Sequence, residues 1–195
     1  MAKRIFFSFH YQDVIDFRAN VVRNHWRYKD DREAAGFFDA SLWESSRRTG
    51  DQALKRLINE GLKNTSITVV LIGQHTYARR WVRYEIMKSI EVGNKVFGVH
   101  INSIKCKNSQ TKFQGQNPFD HLGVVYNHDG SRITGREWDG NQWIDYADIT
   151  TSLGSNEDRS LWNNGYRLSH FFKTYDWAAD DGYQNFSSWV KALEN

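Results

Sequence analysis

The chain has 195 residues, of which 39% are hydrophobic and 25% charged, a balance that predicts a globular protein able to bury a sizeable core. Its 26 basic and 23 acidic residues leave a formal charge of +3, with the basic residues dispersed rather than gathered in a stripe, which argues against nucleic acid as a partner. The single cysteine, Cys106, excludes an intrachain disulfide framework and a cysteine-rich zinc site, and fits a reducing cytoplasm.

The N-terminus, MAKRIFFSFHYQD, has an apolar run broken by Ser8 and His10, too short for a secretory signal. No segment approaches the ~20 apolar residues that span a bilayer, so no membrane partner is expected. Arg4–His10 (RIFFSFH) reads as a first strand. Alternation there puts Phe6, Ser8 and His10 on one face and Ile5, Phe7 and Phe9 on the other. Asp13–His25 carries Val14, Phe17, Val21 and Val22 at helical spacing, and Gly36–Asp39 (GFFD) is a short second strand candidate. Asp51–Lys63 presents Leu54, Leu57, Ile58 and Leu62 on one helical face. Ile67–Gly73 (ITVVLIG) is a continuous apolar run, typical of a parallel strand buried on both sides. A helix over Arg79–Glu91, stopped by Gly93, leads to a fourth strand at Lys95–Ile101.

This alternating order predicts an α/β fold with a parallel central sheet and helices on both faces. Ligands of such sheets bind outside the carboxyl ends of the strands, here Ser8–Tyr11, Asp39–Trp43, Gly73–Thr76 and Ile101–Ile104. Beyond residue 105 the pattern changes. Asp129-Gly130 and Asp139-Gly140 predict two β-hairpins within Val124–Tyr146, Thr150–Arg159 reads as a loop, and a short helix over Phe186–Leu193 closes the chain. Residues 106–195 therefore read as an elaboration packed on a core of 1–105, or as part of one continuous domain.

One residue breaks the amphipathic pattern. On a helix over RRWVRYEIMKSI, with Trp81 at zero and ~100° per residue, Glu85 falls at about 40°, beside Val82 (~100°) and Ile86 (~140°). Arg80 and Tyr84 are expected on the far side. Either that edge of the helix is wet, or Glu85 is held in a cleft. Other chemistries recede: there is no phosphate-binding glycine loop, no nucleophile elbow around Ser8, and no paired histidines for a metal. At the end of the first strand, Phe6, Ser8 and His10 would make a suitable wall for an aromatic ligand.

These segments carry a family signature. FFSFHYQD resembles the first box of TIR domains, and IGQHTYARRWVRYEI resembles their third strand and following helix, with Trp81-x-x-x-Glu85 matching the tryptophan and catalytic glutamate of enzymatic members. FDASLWE, ALKRLI and DWAADDGY extend the likeness, over nearly the whole chain, to the TIR proteins of bacterial Thoeris antiphage systems. ASLWESSRRTG, in the place of the loop after strand 2, departs from the motif common in catalytic TIRs.

The resemblance implies a flavodoxin-like TIR fold and an enzyme that cleaves the nicotinamide–ribose bond of NAD and forms a cyclic ADP-ribose isomer. That second messenger would act on a Thoeris effector (ThsA-like). Glu85 is then the catalytic carboxylate. Phe6, Ser8, His10 and Trp81 are substrate-binding candidates, with Ser41 and Trp43 closing the cleft. NAD is the substrate, so no separate cofactor and no metal are implied; self-assembly through TIR domains is. The alternative is a TIR interaction module that scaffolds partners without catalysis. A nucleoside-processing hydrolase of flavodoxin-like fold is a weaker third reading.

Overall fold

The structure is a computed structural model that describes residues 3–28, 32–36 and 40–193, with backbone only at 3 and 40–44. The first strand, β1 (Lys3–Phe9), leads into two short helices, α1 (Tyr11–Ile15) and α2 (Arg18–Arg27), where the periodicity predicted one. The break is at Phe17, whose left-handed backbone (φ +66°) ends the first helix and turns Arg18 inward. Buried Arg18 then donates to the carbonyls of Ile104 (2.9 Å) and Gln110 (2.8 Å), tying the start of α2 to the segment after the fourth strand.

The second strand, β2, is Arg32–Ala35 rather than the expected Gly36–Asp39. The chain turns at Gly36 (φ +86°), and a Cβ there would lie 2.2 Å from the carbonyl oxygen of Phe7, so only glycine lets the two strands run this close. Residues 37–39 lie outside the described residues. A helix, α3 (Ala40–Thr49), occupies the place expected to hold a loop. No glycine or proline interrupts ASLWESSRRT, and Gly50 at φ +118° separates this helix from α4 (Asp51–Leu62). Then come β3 (Ile67–Ile72), buried at every position as its unbroken apolar run requires, α5 (Arg80–Glu91) and β4 (Lys95–His100).

The second half adds an antiparallel sheet of β5 (Leu122–Tyr126), β6 (Ile133–Trp138), β7 (Trp143–Asp145) and β8 (Gly165–Arg167), in the order β7-β6-β5-β8. Both predicted hairpins are present. At each turn an aspartate accepts from backbone N–H groups just ahead, Asp129 from Ser131 and Asp139 from Asn141 and Gln142, and a positive-φ glycine follows. Two elements then return to the first sheet. A further parallel strand, β9 (Thr174–Asp176), pairs with β4, giving the order β2-β1-β3-β4-β9, and α6 (Gly182–Ala192), longer than predicted, packs over it.

Alternation along the strands sorts the core. Ile5, Phe7, Val69, Leu71, Phe97 and Val99 face α2 and α6, where Trp26, Phe186 and Trp189 complete an apolar layer. Phe6, Val70 and Ile72 face the other way, toward α4, α5 and the second sheet. No helix among the described residues is long and apolar enough to cross a membrane.

Candidate active site

The face of β1 that carries Phe6 also carries Ser8, and α5 lies across it. Ser8 is fully buried and donates its hydroxyl to Oε2 of Glu85 at 2.5 Å. Glu85 is 5% exposed, and no lysine or arginine pairs with it among the described residues. Burial dominates its electrostatics and pushes the carboxyl up to about 8, against the smaller downward pull of the Ser8 hydrogen bond. Ser89, one turn on, is bonded to the Glu85 carbonyl (2.6 Å) and to Thr68 of β3 (2.7 Å), which fixes the helix against the sheet.

Glu85 lines a cavity of about 480 Å³ beside the carboxyl end of β1. Its walls come from Phe9, His10 and Tyr11 at the end of β1, from Ala78 to Val82 at the start of α5, and from Arg47 in the last turn of α3. His10 is held neutral, its imidazole lowered to about 4 by burial first and then by the positive charge of Arg79. Trp81 forms an apolar wall, edge-on to Tyr84 (6.0 Å between ring centroids) and stacked under the Arg80 guanidinium at 4.8 Å. Arg80 in turn is gripped by Asp148, from the segment after β7, through two hydrogen bonds of 2.9 and 2.8 Å. The second half of the chain thus reaches the rim of the cavity.

Of the residues expected from the sequence, Glu85, His10 and Trp81 line this cavity together. Ser8 lies behind Glu85 and touches it rather than the open space. Phe6 is fully buried among Ala35, Ile58, Leu62 and Tyr84, a core residue one layer below the cavity. Ser41 and Trp43 fall in the first turn of α3, where side chains lie outside the described residues.

Tyr84 corrects the helical projection. It is 3% exposed rather than solvent-facing, because α4 covers that side and Asn59 accepts its hydroxyl at 3.1 Å. With the second sheet on the other flank, α5 is buried around most of its circumference, and an inward acid on it is not a matter of one wet edge.

Sequence reasoning missed Arg47 and Arg79. Their signal was the pair of short basic runs SSRR and ARR, which carry no information about direction until α3 and α5 are placed. It also missed a second buried carboxylate. Asp13 is 2% exposed, and burial raises its pKa to about 6. It lies so close over Gly73 that a Cβ there would sit 2.2 Å from its Oδ2.

The family described as "Thoeris protein ThsB, TIR-like domain" matches the chain over residues 6–105. Over nearly its whole length the chain is similar to ThsB1 of Bacillus cereus (strain MSX-D12), named as a candidate cyclic ADP-D-ribose synthase. The two are 59% identical over 191 residues, 97% of this chain and 100% of that protein.

Proposed function

The chain belongs to the Thoeris ThsB family of TIR-like proteins, and from that premise we propose that it is an NAD-cleaving enzyme that makes a cyclic ADP-ribose. The observation that carries this reading is Glu85: a buried carboxylate with no cationic partner among the described residues, lining a cavity between the end of β1 and the start of α5. A helix that served only as a scaffold gains nothing from such a group, since burying an unpaired acid costs stability.

Expelling nicotinamide, a neutral pyridine, needs no general acid, unlike ordinary glycoside hydrolysis with its two carboxylates. What develops is positive charge on the ribose. One ionised carboxylate at a dry site can stabilise it, an effect on the order of 10²–10³-fold for a single well-placed group. In the free protein Glu85 holds its proton until about pH 8. The cationic nicotinamide ribose favours the ionised form, so substrate binding itself draws the proton off. Ser8 positions the carboxylate, and Trp81 supports the ribose from the apolar side.

For cyclisation, a nucleophilic atom at the other end of the same molecule attacks the ribose C1′ and sheds one proton. NAD then yields nicotinamide, the cyclic product and H⁺, without water entering the bond. Walls of Phe9, Tyr11 and Trp81 suit the exclusion of water. The product would be the diffusible signal to a ThsA-like effector. The test is chromatography and mass spectrometry of NAD incubated with the purified chain, and of extracts from phage-infected cells expressing it. Wild type should release nicotinamide and a cyclic ADP-ribose, and Glu85→Gln should release both about 10³-fold more slowly. Equal nicotinamide release by both proteins, or none from either in both settings, sinks the reading.

A further inference from the structure

Three arginines line the cavity, and they are not equivalent. Arg80 is balanced by two carboxylates, Asp148 through its paired hydrogen bonds and Asp51 at 2.7 Å. Arg47 enters from the last turn of α3. Arg79 is exposed, and its guanidinium makes no hydrogen bond or ion pair among the described residues. Its charge is nonetheless felt inside the cavity, where it helps to keep His10 unprotonated.

Arg79 also occupies the position before the first turn of α5. That turn contains no acidic residue and receives no side-chain cap, and the carboxylates nearest it, Asp51 and Asp148, are held by Arg80. The cavity therefore carries an acid and a cation at separate places along its lining. A buried carboxylate stands at Glu85, and at Arg79 a guanidinium with no ion-pair partner among the described residues, about 9 Å earlier along the helix at 1.5 Å per residue. A ligand matching both ends has a cationic or electron-poor sugar at one end and a dianion a sugar's length away.

The geometry points to Arg79 as the residue that takes the diphosphate of a dinucleotide, with Arg47 lining the same subsite, while Glu85 takes the ribose that is cleaved. This rests on the NAD-cleaving reading of Glu85 and adds the anionic half of the ligand. A planar guanidinium is suited to the task, since its forked N–H groups meet two phosphate oxygens at once. Arg80 is excluded from the role because Asp148 and Asp51 already hold its fork. The subsite selects the intact dinucleotide over a nucleoside, which offers a ribose to Glu85 but nothing to Arg79.

The test uses ADP-ribose, which carries the diphosphate and is not turned over, titrated calorimetrically into the full chain at two salt concentrations. Arg79→Ala should weaken binding at least fivefold, reduce its dependence on salt, and leave the melting temperature unchanged. Arg79→Lys, which keeps the charge but not the fork, should recover part of the loss. No saturable binding to wild type overturns the proposal. So does a smaller loss in Arg79→Ala, or a loss with unchanged salt dependence. Nicotinamide release that survives Glu85→Ala would remove the catalytic reading while leaving the Arg79 result standing. Lost turnover in Glu85→Ala beside undisturbed ADP-ribose binding in Arg79→Ala would remove the subsite alone.

Discussion

On one face of the first sheet, Phe7, Trp26, Phe97, Trp177 and Phe186 pack together under α2 and α6; on the other, Ser8 meets Glu85 and Thr68 meets Ser89 beneath α5. Both faces are served by the same strands, residue by alternate residue. The first is close-packed and apolar, and its role is stability. The second exchanges some of that packing for hydroxyls and one acid, and opens at the strand ends into the cavity. Separating the two in this way lets a destabilising group be buried without weakening the layer that holds the sheet together.

The sharpest way to break this division is at Glu85. Glu85→Gln should lower NAD turnover by about 10³-fold, the upper range for one electrostatic group, while leaving the fold intact. In wild type, kcat/KM should rise with pH and level off above about pH 8, where free Glu85 is ionised. The kcat profile should turn at lower pH, because bound NAD favours the ionised acid. Stability should run the other way. The folded pKa of about 8 lies above the ordinary glutamate value of 4.5. The contribution of the buried proton is thus fully present below about pH 4.5 and is lost as pH rises through 8. Melts at pH 5, 7 and 9 should show Glu85→Gln gaining on wild type, by at most ~1.4 kcal/mol per pH unit. A constant gap would mean that Glu85 titrates normally.

The apolar face should respond in the opposite sense. Phe186→Ala should cost about 3 kcal/mol in denaturant melts, the range for deleting a buried aromatic, with activity per folded molecule unchanged. A comparable loss of specific activity would show that the two faces are coupled. Ser8→Ala tests the joint between them. It should reduce turnover about tenfold at pH 7, ~1.4 kcal/mol. It should also move the pH profile upward, since the Ser8 hydrogen bond pulls the Glu85 pKa down. A lower rate with an unmoved profile would make Ser8 a packing residue only.

The smallest effect is expected where the second half of the chain touches the rim. Asp148 is lowered to about 2 by its bonds to Arg80 and Lys55. Asp148→Asn should cost about 1 kcal/mol at neutral pH. That difference should fade as the pH drops from about 4 to about 2, where wild-type Asp148 also takes up its proton. An undiminished difference at pH 2 would separate it from the ion pair.

Much of the fold was legible because its signals are local. The unbroken ITVVLIG could be little other than a central strand, Gly93 stopped α5, and the two Asp-Gly pairs turned the hairpins. What failed was decided by distant contacts. GFFD has the composition of a strand, yet β2 ends before it, where Gly36 passes under the Phe7 carbonyl. β9 is three residues long, too short for its Thr174 and Tyr175 to read as a strand alone; the open edge of β4 makes it a strand. In the site, Glu85 was visible as an acid among apolar neighbours, but Phe6 and Ser8 were read as cavity walls and lie behind them.

By itself the sequence determined the alternation of strands and helices, the sides on which β1 places its residues, and the presence of an acid on the inward arc of α5. These follow from periods of two and 3.6 residues, which the chain carries without reference to anything far away. Only the tertiary structure decided that α5 would be covered on both flanks, burying Tyr84 and leaving Glu85 with Ser8 as its hydrogen-bond partner. It alone brought Arg47, Arg79 and Glu85 to one cavity and set Asp148 against Arg80. Burial and charge pairing depend on what lies across space, and an acid or an arginine has no defined strength until those neighbours are in place.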